Sequence, residues 1–202
     1  DTVARLREFG IAGDCAATPD MSAIVARKRK VTATLQTGLE KTAAQLKVRV
    51  VRGDAEFVGA GLVRVASVGG SLEIAGDRVI LATGSSPLEL PSLPVDHRLV
   101  LSSDDALELQ TVPEHLVVVG GGVIGCELAF IYRAFGAKVT VIEGQGRLLP
   151  LPSVDGEISR LLLREMKKKG IAVELARTVT ATTPTGTGVS VEIGASPFVE
   201  VA

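Results

Sequence analysis

The sequence predicts an α/β fold built on a parallel sheet, and three features of its pattern carry that expectation. After Pro113 apolar strand-like runs alternate strictly with helical patterns in a β-α-β-α-β order, which implies parallel strands joined by right-handed crossovers. A glycine-rich turn joins the first of these strands to the first helix. The N-terminal half is patterned differently, as one long helix followed by short β-prone runs separated by glycines. That half reads as part of a second α/β domain carrying a β-meander, which places residues 1–113 in one domain with its connector and 114–202 in another.

Bulk properties narrow the function classes. The chain has 202 residues, of which 46% are hydrophobic and 22% charged, enough for one large core or two small ones. Lys and Arg total 22 against 23 Asp and Glu, a net charge of −1. This balance offers no broad attraction to nucleic acid or to an anionic membrane, and the basic run Arg27-Lys28-Arg29-Lys30 fits a solvated helix face. No run of eighteen apolar residues predicts a membrane-spanning helix, and no leader pattern is visible. Cys15 and Cys126 form no CxxC or CxxxxC, so a reducing, cytoplasmic setting is expected. The sequence begins at Asp1 without a methionine, as a piece of a longer protein would.

Each element has a local reason. Over residues 20–46, Ile24, Val25, Val31, Leu35, Leu39, Ala43 and Leu46 recur at helical spacing, with Asp20 or Ser22 as cap. Residues 48–51 read as a strand, and 56–58, 62–67 and 71–74 as an antiparallel meander punctuated by Gly59, Gly61, Gly69 and Gly70. Residues 78–82 are almost wholly apolar, as a strand buried on both faces requires. Pro87, Pro91 and Pro94 mark a connector over 85–98. Ser102 or Ser103 caps a short helix over 104–109, helped by Asp104 and Asp105 at its N-terminus. Strands follow at 116–119, 138–142 and 171–175, and helices at 123–135 and 155–169. Gly136 and Gly170 close the two helices. A last meander is expected from 179–182, 189–193 and 198–201.

The main chemical signal is His115-Leu-Val-Val-Val-Gly120-Gly121-Gly122-Val123-Ile124-Gly125. Gly120, Gly122 and Gly125 fit GxGxxG between a strand and a helix. The first permits a tight turn, the second a close approach of a diphosphate to the backbone, and the third close helix–strand packing. Gly121, Val123 and Ile124 complete the loop, whose free N–H groups lie at a helix N-terminus where the dipole favours an anion. Glu143 ends the second strand 18 residues beyond Gly125, placed to accept hydrogen bonds from ribose hydroxyls. A 2′-phosphate there meets a like charge, so NAD is expected over NADP. Arg147 is the one nearby group able to reach a phosphate.

The sequence resembles the flavin-dependent pyridine nucleotide–disulfide oxidoreductases. The matching stretches are Val79-Ile-Leu-Ala-Thr-Gly-Ser-Ser-Pro87, Leu101-Ser-Ser-Asp-Asp-Ala-Leu107, Val112-Pro-Glu-His-Leu-Val-Val-Val-Gly-Gly-Gly-Val-Ile-Gly125, Glu127-Leu-Ala129, Phe135-Gly-Ala-Lys-Val-Thr-Val-Ile-Glu143 and Arg147-Leu-Leu-Pro150 with Asp155. They cover most of 48–183 in the family's order, and the likeness is strongest to the dihydrolipoamide dehydrogenases. The resemblance implies electron transfer between NAD, FAD and a redox disulfide, and then a dithiol or disulfide substrate, in a homodimer. It implies flavin contacts at Ala55, Thr83, Gly84 and Ser85. It places Glu127 near the meeting point of nicotinamide and flavin, although the helical pattern alone makes Glu127 a partly exposed helix residue. It places Val179 near the adenosine end of NAD.

The departures from the family are equally specific. This sequence has no N-terminal GxGxxG for FAD, no CxxxxC and no C-terminal His–Glu pair. The chain therefore corresponds to a central part of such an enzyme, with no catalytic residues of its own, no metal ligands, and no expected stoichiometric FAD or disulfide reduction. Cys126 is expected as a buried inert thiol, and His97 and His115 as structural residues without acid partners. Glutathione-type reductases, mercuric reductases and NADH oxidases remain alternatives within the family. A non-catalytic dinucleotide-binding module is the alternative outside it.

Overall fold

Why the C-terminal half folds as it does is visible in its sheet. A computed structural model describes residues 18–186 and 188–196; Cys15 and the strand expected at 198–201 lie outside the described residues. Elements are numbered in chain order: α1 Met21–Gln45, β1 Asp54–Gly59, β2 Leu62–Ser67, β3 Gly70–Ala75, α2 Ser103–Ala106, β4 His115–Val119, α3 Val123–Ala134, β5 Lys138–Glu143, α4 Gly156–Lys168, β6 Ala172–Leu175, β7 Arg177–Pro184 and β8 Val189–Ala195. Strands β4, β5 and β6 form a parallel sheet in that order. Its register runs from His115↔Lys138 to Val119↔Ile142, and from Thr140↔Ala172 to Glu143↔Leu175. The α/β class and the parallel sheet are as the sequence implies.

Central strand β5 is apolar on both faces because it is covered on both. Val139 and Val141 pack in one buried cluster with Ala129 and Tyr132 of α3 and Met166 of α4, and Ile142, on the opposite face of the strand, is also buried. The Tyr132 hydroxyl donates to the Ala106 carbonyl and so ties α2 to α3, while its ring meets Phe135 edge-on at 6.1 Å. Ser102 and Asp105 form a reciprocal capping box on α2. The last helical turns end where expected, with Gly136 and Gly170 at positive φ of 104° and 73°. Strands β7 and β8 form a separate antiparallel pair.

By contact the chain divides within α1 into two units, residues 27–86 and the remainder. The first holds the antiparallel sheet β1-β2-β3, whose strands correspond to the expected meander. Two expected strands are absent from it. Residues 48–51 and 78–82 are irregular, although both are apolar enough for a sheet. Strand conformation requires a hydrogen-bonding neighbour, and no described strand pairs with either segment. Ile80 and Leu81 are accordingly 89% and 72% exposed. The apolar stripe of α1 is also uncovered beyond Val25, with Val31, Leu35, Leu39 and Leu46 exposed.

Hydrogen exchange follows from this distribution. Amides of β4, β5 and β6 are expected to be the most protected in the chain, and those of residues 77–86 to exchange close to the unfolded rate; protection of 78–82 equal to that of β5 would contradict the irregular assignment. Replacing Tyr132 by Phe removes a buried hydrogen bond and leaves a carbonyl with one acceptor site fewer filled, so we expect a loss of about 1–2 kcal/mol of stability in urea titration.

Candidate dinucleotide-binding site

The glycine loop grows out of the register of β4 on β5. The Gly120 N–H donates to the Ile142 carbonyl at 2.8 Å, extending the ladder by one bond before the chain turns. Gly120 then adopts a φ of +111°, a conformation that residues with a Cβ rarely take. Gly125, in the first turn of α3, lies against this turn: a Cβ there would stand 2.0 Å from the Gly120 carbonyl oxygen. The third glycine of the motif is thus required by packing. Gly122 is different, since a Cβ on it would meet nothing within 4 Å and its φ of −71° suits any residue. The protein itself does not need glycine there, whereas a group approaching the backbone does.

Gly122 is also the N-cap of α3, and it supplies no side chain to the first-turn N–H groups. Those groups have no intrahelical acceptors, and the first turn contains no acidic residue. Val123 and Ile124 beside them are 49% and 60% exposed. Helix α4 makes the contrast. Its N-cap Asp155 accepts from the Glu157 N–H at 2.7 Å, and Glu157 adds a second carboxylate to the first turn. One helix carries its own anions and the other leaves the place open, as binding of a diphosphate at α3 requires.

Glu143 closes the site from below. Its side chain is buried at 7% exposure, and both oxygens are engaged: Oε2 accepts from the Gly121 N–H at 2.6 Å and Oε1 from the Gln145 N–H at 2.7 Å. Each carboxylate oxygen has about two acceptor sites, so one remains on each for a hydroxyl donor. The ribose-binding role inferred from position is compatible with this geometry. The structure adds a role that spacing did not suggest, because the same carboxylate fixes the loop. A Cβ on Gly121 would lie 2.7 Å from Leu148 Cδ2 and 3.1 Å from Glu143 Oε2, so this glycine is also dictated by packing.

The remaining sequence-predicted residues are distributed unevenly. Glu127 is exposed in the second turn of α3, and Val179 is buried in β7 opposite Ile193. Ala55 lies exposed in β1 opposite Val65, while Thr83, Gly84 and Ser85 are exposed in irregular chain of the same unit. Gly84 has a φ of +74°. No glycine loop opens either of the helices nearest to them in sequence: α1 is capped by Asp20 and α2 by Ser102. The described residues therefore do not form a diphosphate cradle for a flavin.

Four expectations for single residues meet the geometry differently. Cys126 is buried as expected; burial, and then the charges of Glu143 and Glu127, push its thiol up to about 11. It stays protonated and donates to the Gly121 carbonyl at 3.3 Å. Arg147 does not extend toward a phosphate, because its guanidinium donates to the carbonyls of Leu151 and Val154 at 3.0 and 2.9 Å. The expectation that His97 lacks an acid partner is corrected: Nδ1 lies 3.0 Å from an Asp105 oxygen. A positive φ of 58° at His97 turns the ring back onto the α2 cap, a fold-level proximity that linear spacing hides. His115 Nε2 meets Thr140 Oγ1 at 3.0 Å across β4 and β5. Sequence reasoning missed Leu149, whose N–H donates to the Gly121 carbonyl at 2.8 Å from a left-handed backbone of φ 49°. No signal marked it, since a leucine in that conformation costs about 1–2 kcal/mol and is not anticipated from composition.

Comparison with known proteins identifies the family. The family described as pyridine nucleotide-disulphide oxidoreductase matches residues 7–196. Dihydrolipoyl dehydrogenase 3 of Pseudomonas aeruginosa is 38% identical over 175 residues, which is 86% of this chain and 37% of that protein. Dihydrolipoyl dehydrogenase of Bacillus subtilis is 36% identical over 174 residues, 86% of this chain and 38% of its own length. The crystal structure of LpdA from Mycobacterium tuberculosis superposes with a TM-score of 0.82 at 26% identity, covering 95% of this chain and 42% of that one. The chain thus spans little more than a third of the length of the curated relatives it matches. With the family matched over nearly the whole chain and the same fold found in a solved relative, this chain belongs to the pyridine nucleotide-disulphide oxidoreductases, a family of flavoprotein reductases.

Proposed function

We propose that this chain binds NAD(H) at the loop 120–125, and that it does so as the nucleotide-binding part of a dihydrolipoyl dehydrogenase-like enzyme acting on a dithiol or disulfide. The observation that carries the first part is the uncapped N-terminus of α3, open at Gly122 above a buried Glu143. The second part rests on the names of its relatives. In this reading the N–H groups of Gly122, Val123, Ile124 and Gly125 hold the diphosphate, and the free acceptor sites of Glu143 receive the adenosine ribose hydroxyls. Bound NAD supplies hydride-transfer chemistry, while the protein supplies orientation and electrostatics. Glu127, one turn further along α3, faces the nicotinamide end in this reading, and Val179 borders the adenosine end. Ala55, Thr83, Gly84 and Ser85 are proposed flavin contacts of the complete enzyme, in which two such subunits associate. The family uses FAD with NAD(H), but the described residues do not cradle a flavin, and their own part is to hold and orient the nicotinamide cofactor.

Cofactor choice follows from charge. A buried carboxylate at Glu143 repels a 2′-phosphate, and Arg147, the cation closest in sequence, spends its donors on backbone carbonyls. NADH is therefore expected to bind at least about tenfold more tightly than NADPH, a difference of about 1.4 kcal/mol. Glu143→Gln should weaken NADH and narrow that gap in calorimetric titration. Equal affinities in the unmutated chain would rule out Glu143 as the source of cofactor choice.

Two alanine substitutions separate the ligand's needs from the fold's. Gly122→Ala places a methyl group in open space at an ordinary φ, so the melting temperature should hold while NADH affinity falls about tenfold or more, the diphosphate being kept from the backbone. Gly125→Ala drives a Cβ into the Gly120 carbonyl and should cost several kcal/mol, of the order of other overpacked sites at about 1–3 or more. Unchanged NADH binding in Gly122→Ala would show that the loop is not where the nucleotide sits.

A further inference from the structure

We propose that Arg147 is a positioning residue for the nucleotide: it pins the turn after β5 so that Leu149 holds the Gly121–Gly122 peptide in its binding orientation. The inference rests on the NAD(H)-binding reading above and deepens it. The half-buried Arg147 guanidinium spans two carbonyls of its own turn, with Nη1 on Val154 at 2.9 Å and Nη2 on Leu151 at 3.0 Å. Nη1 also lies 3.4 Å from the Ser159 hydroxyl, which is buried in the first turns of α4. The turn is thereby fastened to itself and to a helix.

What the turn holds is the loop. Leu149, between Arg147 and its acceptor Leu151, takes a left-handed backbone with φ 49° and directs its N–H to the Gly121 carbonyl at 2.8 Å. Leu148 next to it is 1% exposed and sits where a Cβ of Gly121 would be. Cys126 Sγ–H donates to the same carbonyl at 3.3 Å, and the N–H of Gly121 is taken by Glu143 at 2.6 Å. The peptide unit is planar and trans, so fixing the Gly121 carbonyl fixes the Gly122 N–H in the opposite direction. That direction leads away from Leu149 and Cys126, and Gly122 itself has open space around it. A donor aimed in advance need not be ordered when the ligand binds. A left-handed leucine does not persist on its own preference, and the Arg147 fork is what holds the turn that contains it.

The test compares the full chain with Arg147→Met and Arg147→Lys. Met keeps the stem and removes every donor; Lys keeps the charge but, as a single point donor, cannot span two carbonyls as the planar fork does. The ligand-free protein is read by amide exchange at Gly121 and Leu149, with Val118, Thr140 and Val141 as internal references, and then titrated with NADH and NADPH. We expect exchange at Gly121 and Leu149 to accelerate by about tenfold or more in Arg147→Met while the sheet amides hold. NADH dissociation constants should rise by about five- to twentyfold at unchanged stoichiometry, and Arg147→Lys should recover less than half of either effect. Unchanged exchange at both amides overturns the proposal. So does uniform acceleration across the sheet, which would make Arg147 a general stability residue, or a loss confined to NADPH, which would make it a phosphate ligand. Should the unmutated chain fail to bind NADH, the NAD(H)-binding reading falls, and the ligand-free exchange still decides whether Arg147 holds the loop.

Discussion

The hydrogen bond from the Gly121 N–H to the Glu143 carboxylate, 2.6 Å long and buried, is the contact on which the rest of the site depends. It joins the turn that leaves β4 to the last residue of β5, and it can form only in the register that pairs Val119 with Ile142. A buried carboxylate is costly unless hydrogen-bonded, and here two backbone N–H groups meet that cost. Such charge-assisted bonds are among the stronger ones a protein makes. The same negative charge helps to keep the Cys126 thiol protonated, and the protonated thiol donates to the other end of the Gly121 residue. Removing the carboxylate therefore does more than delete a proposed ligand for ribose, because the loop loses a support from beneath.

The two helices that follow β4 and β5 show how the sequence separates binding from scaffolding. α4 begins with Asp155 and Glu157, ends with Lys167 and Lys168, and so satisfies its own dipole at both ends. α3 follows three glycines, begins with two exposed aliphatic residues and offers no side-chain cap at its N-terminus. Its middle compensates, with Cys126, Ala129 and Tyr132 buried against the sheet. A helix whose interior face is this well packed tolerates an unsatisfied end, and the unsatisfied end is what an anion can use. The unit of residues 27–86 lacks a comparable division, since the exposed apolar positions at Leu35, Leu39, Ile80 and Leu81 carry no hydrogen-bonding function of their own.

Much of this was legible in the sequence, for identifiable reasons. Periodicity and end signals located every described helix, because caps such as Asp155 and Ser102 act within three residues of where they stand. The turn at 120–125 and the place of Glu143 at the end of β5 were legible because both follow from order along one β-α-β unit. Two kinds of feature were not. The strands expected at 48–51 and 78–82 depend on a neighbour to pair with, and apolarity reports only that a segment could be buried. The partners of Arg147, Leu149 and His97 depend on turns with a left-handed residue, which bring Leu149 to Gly121 and His97 to Asp105. A positive φ at leucine or histidine leaves no compositional mark, whereas one at glycine does.

Two of the three described non-glycine residues at positive φ in this unit, Leu149 and Ala176, lie where the nucleotide is proposed to bind, the third being His97. Gly120 with φ +111°, Leu149 with φ 49° and Ala176 with φ 56° all border the loops that follow β4, β5 and β6. Each is held by a backbone bond: Gly120 to Ile142 of β5, Leu149 to Gly121 in the first loop, and Ala176 to Gln145 in the second. The three loops thus brace one another, and a residue that would relax alone is kept in place by the others. The core beneath them is unstrained and closely packed, with Val139, Val141 and Met166 almost fully buried. Unfavourable backbone conformations persist where the surroundings over-determine them. Here the surroundings are the parallel register of β4, β5 and β6, which sets all three loops at the same end of the sheet. The glycine motif therefore works as part of that sheet end, and a copy of it grafted onto an unbraced strand–helix turn would lack the fixed Gly121 peptide on which its geometry relies.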